Sequence, residues 1–378
     1  MLVIIALVFL WCGLVPVAGA FVIRRSWRNF RRRFDELCLR PVLNYAACQN
    51  TPPEGGLYRF IGGFESLTDD QTLWIRSDTL TIPIALKDAH IYMLPLPEGP
   101  GEEVPERIPW DRLSTLTEGA KVFVGGLLLP LMERWTFVST KKHPLLVIFY
   151  EGPDTTLATR AIRAGRHRNE YWNPVTPYGF ILNAFSQISI AAVFLPRPAF
   201  RLTVITAVIA LFAPLLPLLP PGVLLTVLYR RLWWRARIFR ACRDLARLPL
   251  KYFLTSFYGR HPLGSKLPDG EQYGTIWYED LPAEDIPGME TIPLLLPELR
   301  PRQGEGWYVF GALSGEGAVP TRPQDPFAAF GALPGEPEAI AKRYTLKAYI
   351  LEITGGLFLL IGMALNLLFI TMIMYLLQ

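Results

Sequence analysis

The chain has 378 residues, of which 51% are hydrophobic and only 19% charged, with a formal net charge of +5. That balance is too apolar for a protein lying wholly in water, so part of the apolar content belongs in lipid. Four cysteines, Cys12, Cys38, Cys48 and Cys242, show no CxxC spacing, which argues against a disulfide framework or a zinc site and for a reducing environment.

The first predicted element is residues 2–23, an apolar run without a charge, long enough to cross a bilayer core of about 30 Å. Ala18-Gly19-Ala20 resembles a signal-peptidase site, but Arg24, Arg25, Arg28, Arg31, Arg32 and Arg33 follow the apolar core instead of preceding it. An uncleaved anchor with its amino terminus outside is expected. Cys12 is no lipoprotein cysteine, because the bulky Trp11 stands before it. Residues 24–53 are expected to be a basic cytosolic linker.

Between 54 and 152 the pattern is that of short strands: 57–65, 71–78, 90–94, 121–130, 134–140 and 144–152 are rich in aromatic and branched residues. Six or seven strands at this spacing predict a small β domain, an OB-like barrel or a sandwich. The pairs Gly62-Gly63 and Gly125-Gly126 sit inside strand patterns, where glycine marks bulges or bends. Residues 153–178 are expected to form a basic helix (154–168) and a linker leading back to the bilayer.

Residues 179–229 are predicted to be a transmembrane hairpin of two apolar segments, 179–196 and 202–229. The second contains Pro214, Pro217, Pro220 and Pro221, and prolines free carbonyls that neighbouring helices must satisfy. One spanning helix plus a re-entrant segment is the competing arrangement. Residues 230–252 read as a basic amphipathic helix: Trp234, Ile238, Ala241, Leu245 and Leu248 form one face. Arg230, Arg231, Arg235, Arg237 and Arg240 supply a positive membrane flank or an attraction to anionic lipid.

Residues 253–345 form a Pro/Gly-rich section. From 262 to 337, 12 prolines and 11 glycines fall among 76 residues, about 30%, near the level of irregular chain. The apolar stretches 273–281, 291–299 and 306–313 nevertheless predict short strands packed on the first β domain and extending its sheet. FGALSGE (310–316) recurs as FGALPGE (330–336), a duplicated turn or a coincidence. Residues 346–378 are the last predicted transmembrane helix, where Gly362 permits close helix approach and Asn366 bonds across. The fold class expected is therefore a multi-pass α-helical membrane protein with an inserted β domain. It has four spans, both termini outside, and the β domain cytosolic by the positive-inside rule; a bacterial inner (plasma) membrane is the simplest location.

Reactive constellations do not stand out. His90, His143, His167 and His261 lack metal-ligand spacing, Ser314 lies outside a Gly-x-Ser-x-Gly elbow, and no phosphate loop occurs. No catalytic residue, metal site or cofactor is expected. Glu352 is read as an interfacial residue, not a proton relay, and the basic stretches as membrane anchors, not nucleic-acid sites.

LTEGAKVFVGGLLL (116–129), the strand RWTFVST, the strand HPLLVIFYEG and a helix returning to the membrane resemble the GIDE-type β domain of MULAN-like membrane proteins. The likeness covers at most 57–180. The RING finger of that family's ubiquitin ligases is absent, so ligase activity does not carry over. What the resemblance implies is a membrane-tethered β interaction domain. The lipid bilayer and a protein bound at that domain are the expected partners, and a membrane-anchored scaffold is the expected role. A transporter or channel subunit using 202–229 is the alternative.

Overall fold

A computed structural model describes residues 2–50, 55–78, 80–96, 105–131, 134–166, 171–220, 222–253, 265–267, 271–279, 281–296, 299, 306–313 and 319–376. The chain forms two compact units. One comprises Met1–Asn29, Arg168–Phe239 and Leu346–Gln378; the other comprises Phe30–His167 and Arg240–Thr345.

The second unit holds the barrel. Strands β1 (Gly56–Leu67), β2 (Thr72–Arg76) and β3 (Thr81–Ala85) form an antiparallel meander, followed by β4 (His90–Leu94), β5 (Glu106–Arg107), β6 (Lys121–Leu131), β7 (Arg134–Val138) and β8 (Leu146–Tyr150). β3 lies parallel to β7, β7 antiparallel to β6, and β6 returns to β1 from Gly56↔Leu128 to Gly63↔Lys121. That last pairing closes five strands into a barrel with the cyclic order β1-β2-β3-β7-β6, the arrangement of a Greek-key barrel of oligonucleotide-binding type. β8, β4 and β5 extend β6 sideways as a wing. The open edge, β5, is two charged residues long, a poor template for stray pairing.

Alternation decides the core. Val122, Val124, Val147 and Phe149 point into the barrel with Phe60, Leu73, Ile75, Ile84 and Phe137, all buried. The intervening Phe123, Ile148 and Tyr92 stand in register across β6, β8 and β4 on the opposite face and are buried too. What buries them is helix α2 (Val15–Cys38), where Phe30 packs on Tyr92 with ring centroids 4.5 Å apart and Phe34 on Phe123 at 5.3 Å. The glycine pairs serve close approach. A Cβ on Gly125 would fall 2.7 Å from Leu37 of α2, and one on Gly62 only 2.4 Å from the Arg76 carbonyl oxygen. The predicted bend is present beside Gly62-Gly63, where the β1–β2 register shifts between Phe64 and Ser66.

Residues 24–53 thus differ from the basic linker expected. Their first part continues α2 to Cys38, and α3 (Tyr45–Asn50) follows. Trp27, Phe30, Phe34 and Leu37 recur at spacings of 3, 4 and 3 among the arginines and are all buried, a helical stripe masked by charge. α4 (Asp154–Arg163) is 10 residues long and covers the first two-thirds of its expected span, 154–168.

The Pro/Gly-rich section makes its own sheet and does not extend the barrel's. β9 (Ser265–Lys266), β10 (Gln272–Tyr278), β11 (Trp307–Ala312) and β12 (Gly331–Pro334) are antiparallel in the order β12-β11-β10-β9. Its core is Ile286, Ile292, Trp307, Val309 and Ala332. Among the described residues of 291–299 there is one bridge, Leu294↔Ala332, and Pro293 withholds a ladder donor. The FGAL copies are strand ends that pair with each other, Phe310 opposite Gly331; the 314–316 part of the first copy lies outside the described residues.

The first unit is helical: α1 (Leu2–Val8), a π-turn over Phe9–Leu14, the start of α2, α5 (Thr176–Phe194), α6 (Arg201–Leu211), most of α7 (Val223–Arg247) and most of α8 (Pro337–Leu376). Three helices are long and apolar enough to cross a membrane: Leu2–Cys38, Thr176–Phe194 and Pro337–Ile373. The segment 202–229 is broken into α6, a 3₁₀ turn over Ala213–Leu218 and the start of α7. Prolines explain the break, and side chains donate to carbonyls near them. Pro16 cannot donate to the Cys12 carbonyl, which takes the Tyr171 hydroxyl at 2.5 Å. Pro214 cannot reach Ala210, whose carbonyl accepts from Asn183 Nδ2 at 3.0 Å. In the 3₁₀ turn the Leu216 carbonyl accepts the Leu219 N–H at 3.3 Å and also Asn366 Nδ2 at 2.5 Å, while the Pro217 carbonyl, three residues before Pro220, accepts Thr226 Oγ1 at 2.7 Å.

Candidate functional site

The most polar buried place in the barrel unit centres on Arg59, on the outside of β1. Its neighbours in sequence, Tyr58 and Phe60, follow the strand's alternation, which turns Arg59 away from the core and under the second β section. Arg59 is fully buried, and its guanidinium grips Asp325 with both terminal nitrogens, Nη1 to Oδ1 at 2.9 Å and Nη2 to Oδ2. Nε donates to the Arg40 carbonyl at 2.7 Å, and Phe327 lies under the guanidinium at 5.5 Å. Asp325 also accepts the Phe327 N–H at 3.0 Å, so it caps the turn that delivers Phe327 against Phe123 and Phe34. Fork-to-fork pairing in a dry site is geometrically exacting, and it binds two segments 266 residues apart.

Beside this pair a crevice is lined by Phe34, Asp35, Cys38, Ala158, Lys251 and Phe327, with room for one water-sized body, ≈ 10 Å³. Its groups are not activated. Burial pushes the Cys38 thiol well above its ordinary range, so it stays protonated and unreactive. Burial also holds Asp35 above the usual carboxylate range, against the opposing pull of Lys251, whose ammonium sits 2.5 Å away. A protonated thiol and a paired carboxyl give no nucleophile and no general base. The arrangement can hold segments together.

The predicted site residues separate into two sets. Arg25, Arg28, Arg32, Arg230, Arg231 and Arg235 are exposed, whereas Arg24, Arg31, Arg33, Arg237 and Arg240 are buried or half-buried. Arg31 donates to the Ala164 carbonyl at 2.7 Å. Arg24 and Arg237 both lie over the Trp233 ring, at 5.8 and 4.6 Å. Gly362 lies along Gly222, a Cβ there standing 3.2 Å from the Gly222 oxygen, and Asn366 Oδ1 accepts the Gly222 N–H at 2.9 Å. His90 is half-buried in β4, and its pKa is lowered by burial and by Arg33 and Arg107. His143 takes part in a turn in which its N–H bonds Thr140 Oγ1. His167, His261 and Ser314 lie outside the described residues. Among the described residues no group of three His, Cys, Asp or Glu could hold a metal ion.

The sequence reading missed Arg59 and Asp325. An arginine inside the apolar run LYRFIGG was the available signal, since a charge is tolerated mid-strand on a face covered by other chain only when paired. No spacing rule could have supplied its partner.

Comparison with protein families finds no family that matches this chain, and no curated protein matches it.

Proposed function

We propose that this chain is a membrane-anchored scaffold: an apolar helical unit that holds the barrel unit at a bilayer, where the barrel binds a protein partner. The observation that carries the reading is the employment of polar groups. In the helical unit, Tyr171, Asn183, Thr226 and Asn366 are bonded to carbonyls at the proline-broken turns, which is a structural task and not a lined path. In the barrel unit Arg59 is locked to Asp325 and Lys251 to Asp35. The charge distribution supports four crossings with both termini outside and the barrel in the cytosol, in a bacterial inner membrane. The resemblance to the GIDE-type domain agrees with an interaction role.

Photo-crosslinkers placed at Arg76 and Thr81, exposed on β2 and β3, test the reading in native membranes. A discrete protein adduct is expected from these sites and not from Leu360, an exposed position on apolar α8. The transporter alternative draws on the broken 202–229 segment. Solute flux in liposomes that disappears on replacing Pro214 or Pro217, with no barrel adduct, would overturn the scaffold.

A further inference from the structure

Two basic clusters far apart in sequence meet in the helical unit. Trp233 of α7 is flanked by Arg24 of α2 at 5.8 Å and by Arg237 of its own helix at 4.6 Å. This contact fixes the level of one helix against the other. α2 leaves its apolar run at Ile23 and α7 leaves its own at Tyr229, so the two apolar runs end within about one helical turn of each other. Immediately beyond, Arg25 and Arg28 on α2 and Arg230, Arg231 and Arg235 on α7 are exposed. Arg28 lies one helical turn past Arg24 and Arg230 one turn before Trp233, so the two bracket the contact from either side. Trp234 adds a half-exposed indole at that depth.

The charge cannot be balanced inside the unit. Its three segments carry three, seven and one Arg or Lys, against Glu170 and Glu352 alone. Arginine forks, an indole and exposed apolar helix just below define one chemistry: a phosphate on an acyl-chain carrier. We propose that the α2–α7 junction around Trp233 is a binding site for an anionic phospholipid, its phosphate held by Arg28 and Arg230 and its chains lying against the apolar turns that precede them. The loop at Arg197 and Arg201 is also exposed and basic, but these two are the only cations between residues 169 and 229, so the same selectivity is not expected there.

The proposal rests on the membrane reading, and the experiment separates the two. The full chain, purified in a neutral detergent, is titrated with equal amounts of phosphatidylglycerol and phosphatidylcholine, and bound lipid is counted by native mass spectrometry. Phosphatidylglycerol should dominate. The R28Q/R230Q variant should lower its preference by about five-fold for each arginine removed, whereas R197Q/R201Q should leave it unchanged. Equal losses in both variants would reduce the effect to bulk charge and overturn the site; so would a wild-type protein that takes both lipids alike. Retention of neither lipid, together with release of the protein from membranes by alkaline carbonate, would instead sink the membrane reading itself.

Discussion

The two units solve one problem, the buried polar group, by different means. In the helical unit the side chains bonded to carbonyls at the proline breaks are neutral amides and hydroxyls: Asn183 to Ala210, Asn366 to Leu216, Thr226 to Pro217. In the barrel unit buried charges are carried, Arg59 bonded to Asp325 and Arg166 to Asp244, while the buried Arg160 donates to the Glu151, Leu94 and Pro95 carbonyls. Solvent explains the division. Within hydrocarbon an ionised group has no water to retreat to, and a neutral amide is the strongest donor that can be carried there cheaply. Beside a water-folded barrel, a charge pair can be desolvated when folding brings both partners together with good geometry. The first device repairs local breaks; the second joins distant segments.

The largest effect expected from breaking this contrast is at Asp325. Asp325→Asn leaves the Arg59 guanidinium buried beside a neutral amide, and losing one partner of a buried pair costs about 3–5 kcal/mol. Cys38 provides the readout, because its thiol is buried and protonated in the folded unit. Labelling of that thiol in the full chain in detergent should begin at much lower urea in the variant than in wild type. Arg59→Met with Asp325→Leu should recover most of the loss, since the pair then vanishes along with its desolvation penalty. Wild-type labelling behaviour for Asp325→Asn would mean that the charges are not what joins the second β section to the barrel.

This difference also sets what could be read from residue order. The apolar runs, the strands at 57–65, 90–94 and 121–130 and the glycine bends depend on neighbours in sequence, and they were legible. β3 was missed because Pro83 sits in its middle, yet β3 lies between β2 and β7 and is seated by Ile82 and Ile84 in the core. The helix over 24–38 was hidden because its arginines dominate the eye while Phe30 and Phe34 carry the packing. The Arg59 site was illegible for a stronger reason: a pair 266 residues apart is a property of tertiary structure, with no local periodicity to announce it. The proline acceptors lie between these extremes. Prolines announce an orphaned carbonyl four residues earlier, but only the fold reveals who answers it.

A smaller effect sharpens the helical side of the comparison. Asn183→Ala removes the donor to the Ala210 carbonyl, and interhelical hydrogen bonds of this kind are worth about 0.6–1.7 kcal/mol. The loss should show as unfolding at lower dodecyl sulfate fraction, followed by helicity. If the amide is there to mend the break at Pro214, its value should depend on the proline. In a Pro214→Ala background residue 214 regains an N–H, and Asn183→Ala should then be close to silent. An unchanged loss in that background would mean that Asn183 acts through Gln187, its neighbour at 3.4 Å, and not through the proline break.

The smallest effect concerns a charge that the barrel unit keeps out instead of pairing. His90 on β4 has its pKa lowered, first by burial and then by the facing cations Arg33 on α2 and Arg107 on β5. Its strand partner on β8 is Leu146, which offers no counter-charge. The folded unit therefore holds His90 neutral, whereas the unfolded chain protonates it near the ordinary histidine value of about 6.5. Between those two values the unfolded state binds more protons, so stability rises with pH and is fully present above the unfolded value. Acidification from pH 7 should erode it, beginning near 6.5 and ending at the lowered folded value. His90→Gln should flatten that part of the urea-midpoint profile of the barrel unit and leave the midpoint at pH 8 nearly unchanged. Arg107→Gln, which removes one of the two repelling cations, should weaken the same slope without abolishing it, because burial remains the larger cause. A His90→Gln profile as steep as wild type between pH 6.5 and 5 would transfer the acid sensitivity to the paired carboxylates. The barrel unit would then depend on its charge pairs at the acid end as well as at neutral pH.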